Sequence, residues 1–284
     1  MFIKPTSDIF VKYLLGRQET NDLLLDFINT VLTDSEFPAV KEVKIQNPFQ
    51  IRPLPLEKEP ILDIEAKDEA GRLYDIEIQN TQEREFVDRS LFYWAKIYSR
   101  QLEQGQSYRT LKPVICINLL NFTLFERHPR AHSCFLLFEK GGDPETILTD
   151  HLQLHFCEIS KLKDLAQGHL KSWLEYFSIE GRKDKEDEMQ VLLQEKPLLQ
   201  KAHQAYEIFT QDDDLRRLYE AQEKAQRDIA TRLEDAEERG KLEGKLEGLE
   251  EGMEKVAKKM KQQGFDTQTI QELTGLSLQQ ISQL

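Results

Sequence analysis

Four carboxylates fall in two short runs of alternating character in "ILDIEAKDEAGRLYDIEIQ", residues 61–79. Side chains alternate faces along a strand. Asp63 and Glu65 therefore share a face with Ile61 and Lys67, and Asp75 and Glu77 share one with Leu73 and Gln79. A three-residue loop, Glu69-Ala70-Gly71, with Gly71 in the left-handed region is a common hairpin connection. It centres the register on Ala70 and sets Asp63 opposite Glu77, and Glu65 opposite Asp75. Facing Cβ atoms lie roughly 5 Å apart, and like charges there destabilise the pair unless something offsets them. Such a pair either stays in water or grips a divalent cation. A two-residue loop would put Asp63 opposite Ile78, on the other face, and remove the site. A solvated strand face with alternating charges is the competing reading of the same pattern.

The elements that must hold this hairpin follow from the flanking sequence. "PTSDIFVKYLLG" reads as a helix capped by Thr6 or Ser7, apolar at Phe10, Val11, Leu14 and Leu15, and stopped by Gly16. Asp8 and Lys12 lie four apart on one of its faces, the spacing of a helical ion pair. "NDLLLDFINTVL" reads as a second helix with Asn21 as cap, and residues 40–51 as a strand. After the hairpin, "EREFVDRSLFYWAKIYSRQLEQG" reads as a long helix ending at Gly105. Leu91, Trp94, Ala95, Tyr98 and Leu102 form its apolar stripe, and Arg89, Tyr93, Lys96 and Arg100 lie on another side. "KPVICINLLNF" suits a buried central strand, and "HSCFLLFEK" and "LQLHFCEI" supply two more. Together these give an α/β layout, a mixed sheet packed against helices.

Past residue 160 the strand signals stop. "GRKDKEDE" (181–188) reads as a charged linker, and residues 189–262 read as helix. Leu242, Leu246, Leu249, Met253, Val256 and Met260 follow a heptad seam, while glycines recur at 240, 244, 248 and 252. Each interior glycine costs about 1 kcal/mol relative to alanine, so this helix is expected to lean on a partner, through self-association. The tail reads as helix, turn at Gly275, then a helix capped by Ser277 with Gln280. It resembles a small helix-turn-helix unit, yet its last helix offers Gln279, Gln280, Ser282 and Gln283 and no Arg or Lys. Protein contact is the preferred reading of the tail on those residues. The expected division is 1–165, 166–262 and 263–284.

Net charge is −13 over 284 residues. Phosphate contacts come from clustered Lys and Arg, so DNA handling demands a local basic face or bound metal ions. No run is apolar for the length of a membrane span and no signal peptide is legible, which points to a cytoplasmic protein without membrane partners. Three cysteines without CxxC spacing read as reduced thiols. His151 and His155 share a face in a strand, but no further zinc ligand accompanies them.

The hairpin resembles the active-site hairpin of the PD-(D/E)XK nuclease superfamily, and more specifically its Rpn branch of recombination-promoting nucleases and transposases. "SDIFVKYLLG" and "FVDRSLFYWAKIYSRQLEQGQSYRTLKPVICINLLNF" fit the same branch, so the resemblance spans roughly residues 5–160. It implies a restriction-endonuclease-like core followed by a helical C-terminal extension. It also implies Mg²⁺- or Mn²⁺-dependent hydrolysis of a DNA phosphodiester. Asp63, Glu77 and Gln79 take the catalytic positions. Asp63, Glu77, the Ile78 carbonyl and Asp8 are the implied metal ligands, and Lys12, Arg89 and Tyr93 the implied substrate contacts. Leu62 stands where the superfamily name has Pro. Gln79 stands where many members have Lys, and it can orient water but carries no charge. A decayed nuclease fold serving as a DNA-binding or interaction module is the alternative.

Overall fold

The computed structural model describes residues 2–49, 64–142, 146–165 and 168–284. Two compact units are present, Met1–Tyr219 and Glu220–Leu284. In the first, α1 (Asp8–Leu15) and α2 (Asn21–Asp34) precede β1 (Val43–Ile45), β2 (Ile64–Asp68) and β3 (Leu73–Gln79). Helix α3 (Phe86–Ser99) crosses to β4 (Val114–Leu120), and β5 (His132–Phe138) and β6 (Ile147–Glu158) follow. Helices α4 (His169–Ile179), α5 (Glu186–Glu195) and α6 (Leu198–Gln211) lead into α7 (Asp213–Gln262).

The strands form one mixed sheet in the order β1-β2-β3-β4-β6-β5. β3, β4 and β6 run parallel to one another, and the remaining pairings are antiparallel. Every residue of β4 is buried, as a parallel strand covered on both faces requires. One face, with Ile76, Ile78, Ile115 and Ile117, packs in a core shared by α1, α2, α4, α5 and α6. The other, with Val114, Cys116, Leu154 and Phe156, packs with Phe86 and Ile97 of α3. This is the restriction-endonuclease-like α/β fold expected from the sequence.

The hairpin register is the one that an odd loop dictates. Ile64 pairs with Ile76 and Glu65 with Asp75, and Gly71 adopts φ 85°. Asp68 fixes the turn. Its Oδ1 accepts from the Ala70 and Arg72 amides, and its Oδ2 accepts from Arg72 Nε at 2.6 Å and the Tyr74 hydroxyl at 3.0 Å.

Several local expectations are corrected. Asn21 begins α2 rather than capping it. Its side-chain amide donates to the Val43 carbonyl and ties the helix to β1. Ser7 sits at the N-cap of α1 but makes no capping hydrogen bond. α3 ends at Ser99, six residues before Gly105. Its inward side runs through Phe86, Ser90 and Ile97, with Trp94 and Tyr98 half-buried, while Leu91 and Ala95 face solvent. Residues 181–188 are no plain linker: Glu186 starts α5, which buries Met189, Leu192 and Leu193. The strands stop at Glu158, yet the compact unit continues to Tyr219. Aromatic contacts show why: Phe10 of α1 meets Tyr206 and Phe209 of α6 edge-on, with ring centroids 5.2 and 5.4 Å apart.

In the second unit, the end of α7 packs with α8 (Thr267–Thr274) and α9 (Leu278–Gln283) around Ala257, Ile270, Leu276 and Ile281. Asp266 caps α8, Gly275 turns the chain at φ 72°, and Ser277 with Gln280 forms a reciprocal capping box on α9. Upstream, Leu242, Leu246, Leu249 and Val256 are exposed. Among the described residues no helix is long and apolar enough to cross a membrane.

Candidate active site

Three elements distant in sequence converge on a cleft of about 270 Å³. Helix α1 contributes Asp8 and Lys12, β3 contributes Glu77, Ile78 and Gln79, and α3 contributes Arg89 and Tyr93. Asp63 lies outside the described residues. The site follows from the strand period: Ile76 and Ile78 enter the α1 core, which turns Glu77 and Gln79 toward α3. Asn80 then holds α1 in place, its side-chain amide donating to the Thr6 carbonyl at 2.6 Å.

Arg89 organises the cleft. Its Nη2 donates to Glu77 Oε1 at 3.2 Å and to Gln79 Oε1 at 2.9 Å, and its Nη1 donates to Glu83 Oε2 at 2.5 Å. Its guanidinium also lies over the Phe86 ring, 5.3 Å from the centroid. The Gln79 amide nitrogen donates to Glu83 Oε1 and to the Thr81 carbonyl, each at 3.1 Å. The Gln79 oxygen therefore points into the cleft beside a fixed positive charge. Glu77 keeps 13 % of its side chain accessible, so its carboxylate is shielded but reachable.

The carboxylate face of the hairpin is not uniformly solvated, because α3 covers it. Asp75 is 5 % exposed and accepts from the Cys116 thiol at 4.0 Å. Glu65, its cross-strand neighbour, pairs instead with Arg100. Lys96 faces solvent. Of the four polar α3 residues singled out in the sequence, Arg89 and Tyr93 reach the cleft, while Lys96 and Arg100 are outside its lining.

Among the described residues no group of three or more His, Cys, Asp and Glu side chains is placed to hold a metal ion. The donors present are still of the right kind. Asp8 and Glu77 are hard carboxylates in one cleft, suited to Mg²⁺ or Mn²⁺ rather than to softer metals.

A second polar cluster had no local signature in the sequence. His132 Nδ1 donates to Asp34 Oδ2 at 2.7 Å, His132 Nε2 and His155 Nδ1 lie 3.0 Å apart, and His155 Nε2 is 3.7 Å from Cys134 Sγ. His155 is fully buried. Burial first, and the His132 charge second, lower its pKa to about 3, so it stays neutral at ordinary pH. Asp34 is the acceptor end of the chain, and His132, His155 and Cys134 continue the contacts inward. His151 holds a different partner, the Tyr98 hydroxyl at 2.9 Å, and no zinc pair with His155 forms. All three cysteines are free thiols, and burial raises the Cys134 pKa to about 11.

Residues 5–236 match the family model described as PD-(D/E)XK nuclease family transposase. The chain belongs to that family. A second model, described as the Rpn/YhgA-like nuclease family C-terminal HTH domain, matches residues 249–284. The preference for plain protein contact in the tail is thereby corrected: α8 and α9 are the matched helix-turn-helix. Searches of curated proteins and of solved structures returned no significant match. As a PD-(D/E)XK family transposase, the chain is a nuclease-type protein related to recombination and transposition.

Proposed function

We propose that this chain is a divalent-metal-dependent DNA endonuclease acting in recombination or transposition. The supporting observation is that one cleft gathers Asp8, Lys12, Glu77, Ile78, Gln79, Arg89 and Tyr93. Asp63, Glu77, Asp8 and the Ile78 carbonyl would hold Mg²⁺ or Mn²⁺. A bound ion of this kind supplies an acidified water and offsets charge developing on the phosphate. The protein's own groups do the rest. Arg89 and Lys12 draw the phosphate into the cleft by charge. Gln79 Oε1 accepts a hydrogen from the attacking water and aligns it with phosphorus. Tyr93 donates to a non-bridging phosphate oxygen. Arg89 also supplies beside Gln79 the positive charge that Lys carries there in many family members.

The C-terminal helix-turn-helix would bring the DNA to the nuclease unit. The exposed seam of Leu242, Leu246 and Leu249 supports self-association through α7, and light scattering that shows a monomer at high concentration would overturn that part. A cytoplasmic location fits this assignment. The test of activity is plasmid nicking in Mg²⁺. Cleavage by wild type that is lost in Asp63→Ala and Glu77→Ala supports the reading. Equal background in all three supports a decayed module, a reading favoured by the Arg89–Glu77 ion pair and by Gln79.

A further inference from the structure

We infer that a second cleft, adjoining the catalytic one, holds an unpaired nucleotide of the nucleic acid being cut. The inference rests on the nuclease reading of the Glu77 cleft. This second cleft has a volume of about 790 Å³, roughly three times the first, and within the range of about 300–1,000 Å³ usual for ligand sites. Its apolar surface comes from Phe2, Ile159 and Phe177, and its charged side from Lys4, Arg182 and Lys183. Asp184 lines it too, paired with Arg182 at 2.9 Å. In a chain of net charge −13, three cations against one acid around an apolar floor is a local reversal. A nucleotide has the same two halves, a flat apolar base and an anionic phosphate.

The two clefts meet at the carboxyl ends of β3 and β4. Thr6 lines the second and Asp8 the first. The Asn80 side chain bonds the Thr6 carbonyl, and the amide of Asn121, another residue of the second cleft, donates to the Gln79 carbonyl at 3.0 Å. Ser7 stands between Thr6 and Asp8, and its hydroxyl is buried without a hydrogen-bond partner. On this reading a strand whose phosphate sits at Glu77 and Arg89 continues past Thr6 toward Lys4 and Phe2. Phe2 is 51 % exposed, an aromatic face open for stacking. Bases inside a duplex already stack on their neighbours, so the occupant is unpaired.

The test uses the full chain without divalent ions and a duplex oligonucleotide with a short overhang of either polarity. 2-Aminopurine is placed once in the overhang and once in the paired part. The expected result is a severalfold fall in fluorescence for the overhang probe alone, abolished by Phe2→Ala. The Lys4→Ala/Lys183→Ala double variant weakens binding about tenfold and lowers the salt slope by roughly 1.4, at about 0.7 per single-strand contact. An unchanged signal at saturation, an equal response from the paired probe, or an unaffected Phe2→Ala of wild-type thermal stability overturns the inference. Plasmid nicking in Mg²⁺ separates the two readings. Nicking without the fluorescence change removes the nucleotide site alone, and the fluorescence change without nicking keeps the site and removes the nuclease assignment.

Discussion

The two polar clusters beside the sheet are built from different residue types and put to opposite ends. At Asp34, His132, His155 and Cys134 the side chains are linked in a row, each to the next and inward to a buried histidine, with Asp34, His132 and Cys134 also lining a cleft of about 760 Å³. At Glu77, Gln79 and Arg89 the side chains converge on open volume contributed by three elements. Burial has neutralised His155 at the inner end of the first cluster. The second retains an Arg–Glu ion pair at the edge of solvent. A polar chain anchored on a buried neutral histidine helps to specify a core. Oxygen donors and a cation facing a cleft leave binding capacity for a ligand.

The largest expected break in that contrast is Glu77→Ala. DNA cleavage in Mg²⁺ falls about 10³-fold, equivalent to about 4 kcal/mol at the transition state. The thermal midpoint stays near wild type, because Arg89 keeps Gln79 and Glu83. A midpoint drop as large as the activity loss would make Glu77 a structural residue like His155.

His155→Ala should do the reverse. Unfolding in urea shows a loss of about 2–4 kcal/mol from the cavity and the stranded partners, while cleavage per folded molecule is unchanged. Lost cleavage at full folding would place the histidine chain in the reaction.

The same cluster gives a pH signature. His155 is depressed to about 3, so between its ordinary value near 6.5 and about 3 the unfolded chain binds a proton that the native state refuses. Stability therefore falls as pH falls through that window. His203 runs the other way. The hydrogen bond that His203 donates to Glu180 raises its pKa, so its contribution is complete below 6.5 and disappears as pH climbs through the raised value. Melting midpoints recorded from pH 5 to 9 should peak near neutrality, and His155→Asn should flatten the acid limb only.

The smallest effect is expected from Arg89→Lys, which keeps the charge and loses the fork. Cleavage drops about tenfold, about 1.4 kcal/mol, with most of the loss in KM. A loss equal to that of Glu77→Ala would show that Arg89 is needed for the chemical step itself.

Alternation and loop length dictate the Glu65–Asp75 register, and helical spacing puts Asp8 and Lys12 on one side of α1. The face of α3 was not readable. Val87, Leu91 and Phe92 are exposed apolar residues opposite an inward side that includes Arg89 and Tyr93, so hydrophobicity points both ways around the helix. The histidine chain joins residues 34, 132, 134 and 155, brought together by strand pairing and by the approach of α2, which leaves no spacing to recognise. The end of the first unit was hidden for a related reason. The strand signal stops at β6, while Leu170, Trp173 and Phe177 of α4 add to the same core. Their helical period does not say against what they pack.

The edge-on packing of Phe10 on Tyr206 and Phe209 has a temporal consequence. The helix that carries Asp8 and Lys12 packs on α2 and β3 but completes its seat against α6, and Glu77 lies on a strand whose neighbour is β4. On the ribosome, a chain that has emerged as far as the sheet holds every residue of the cleft but lacks the α6 support behind α1. On the nuclease reading, a fully seated cleft would then wait until α6, residues 198–211, has left the exit tunnel.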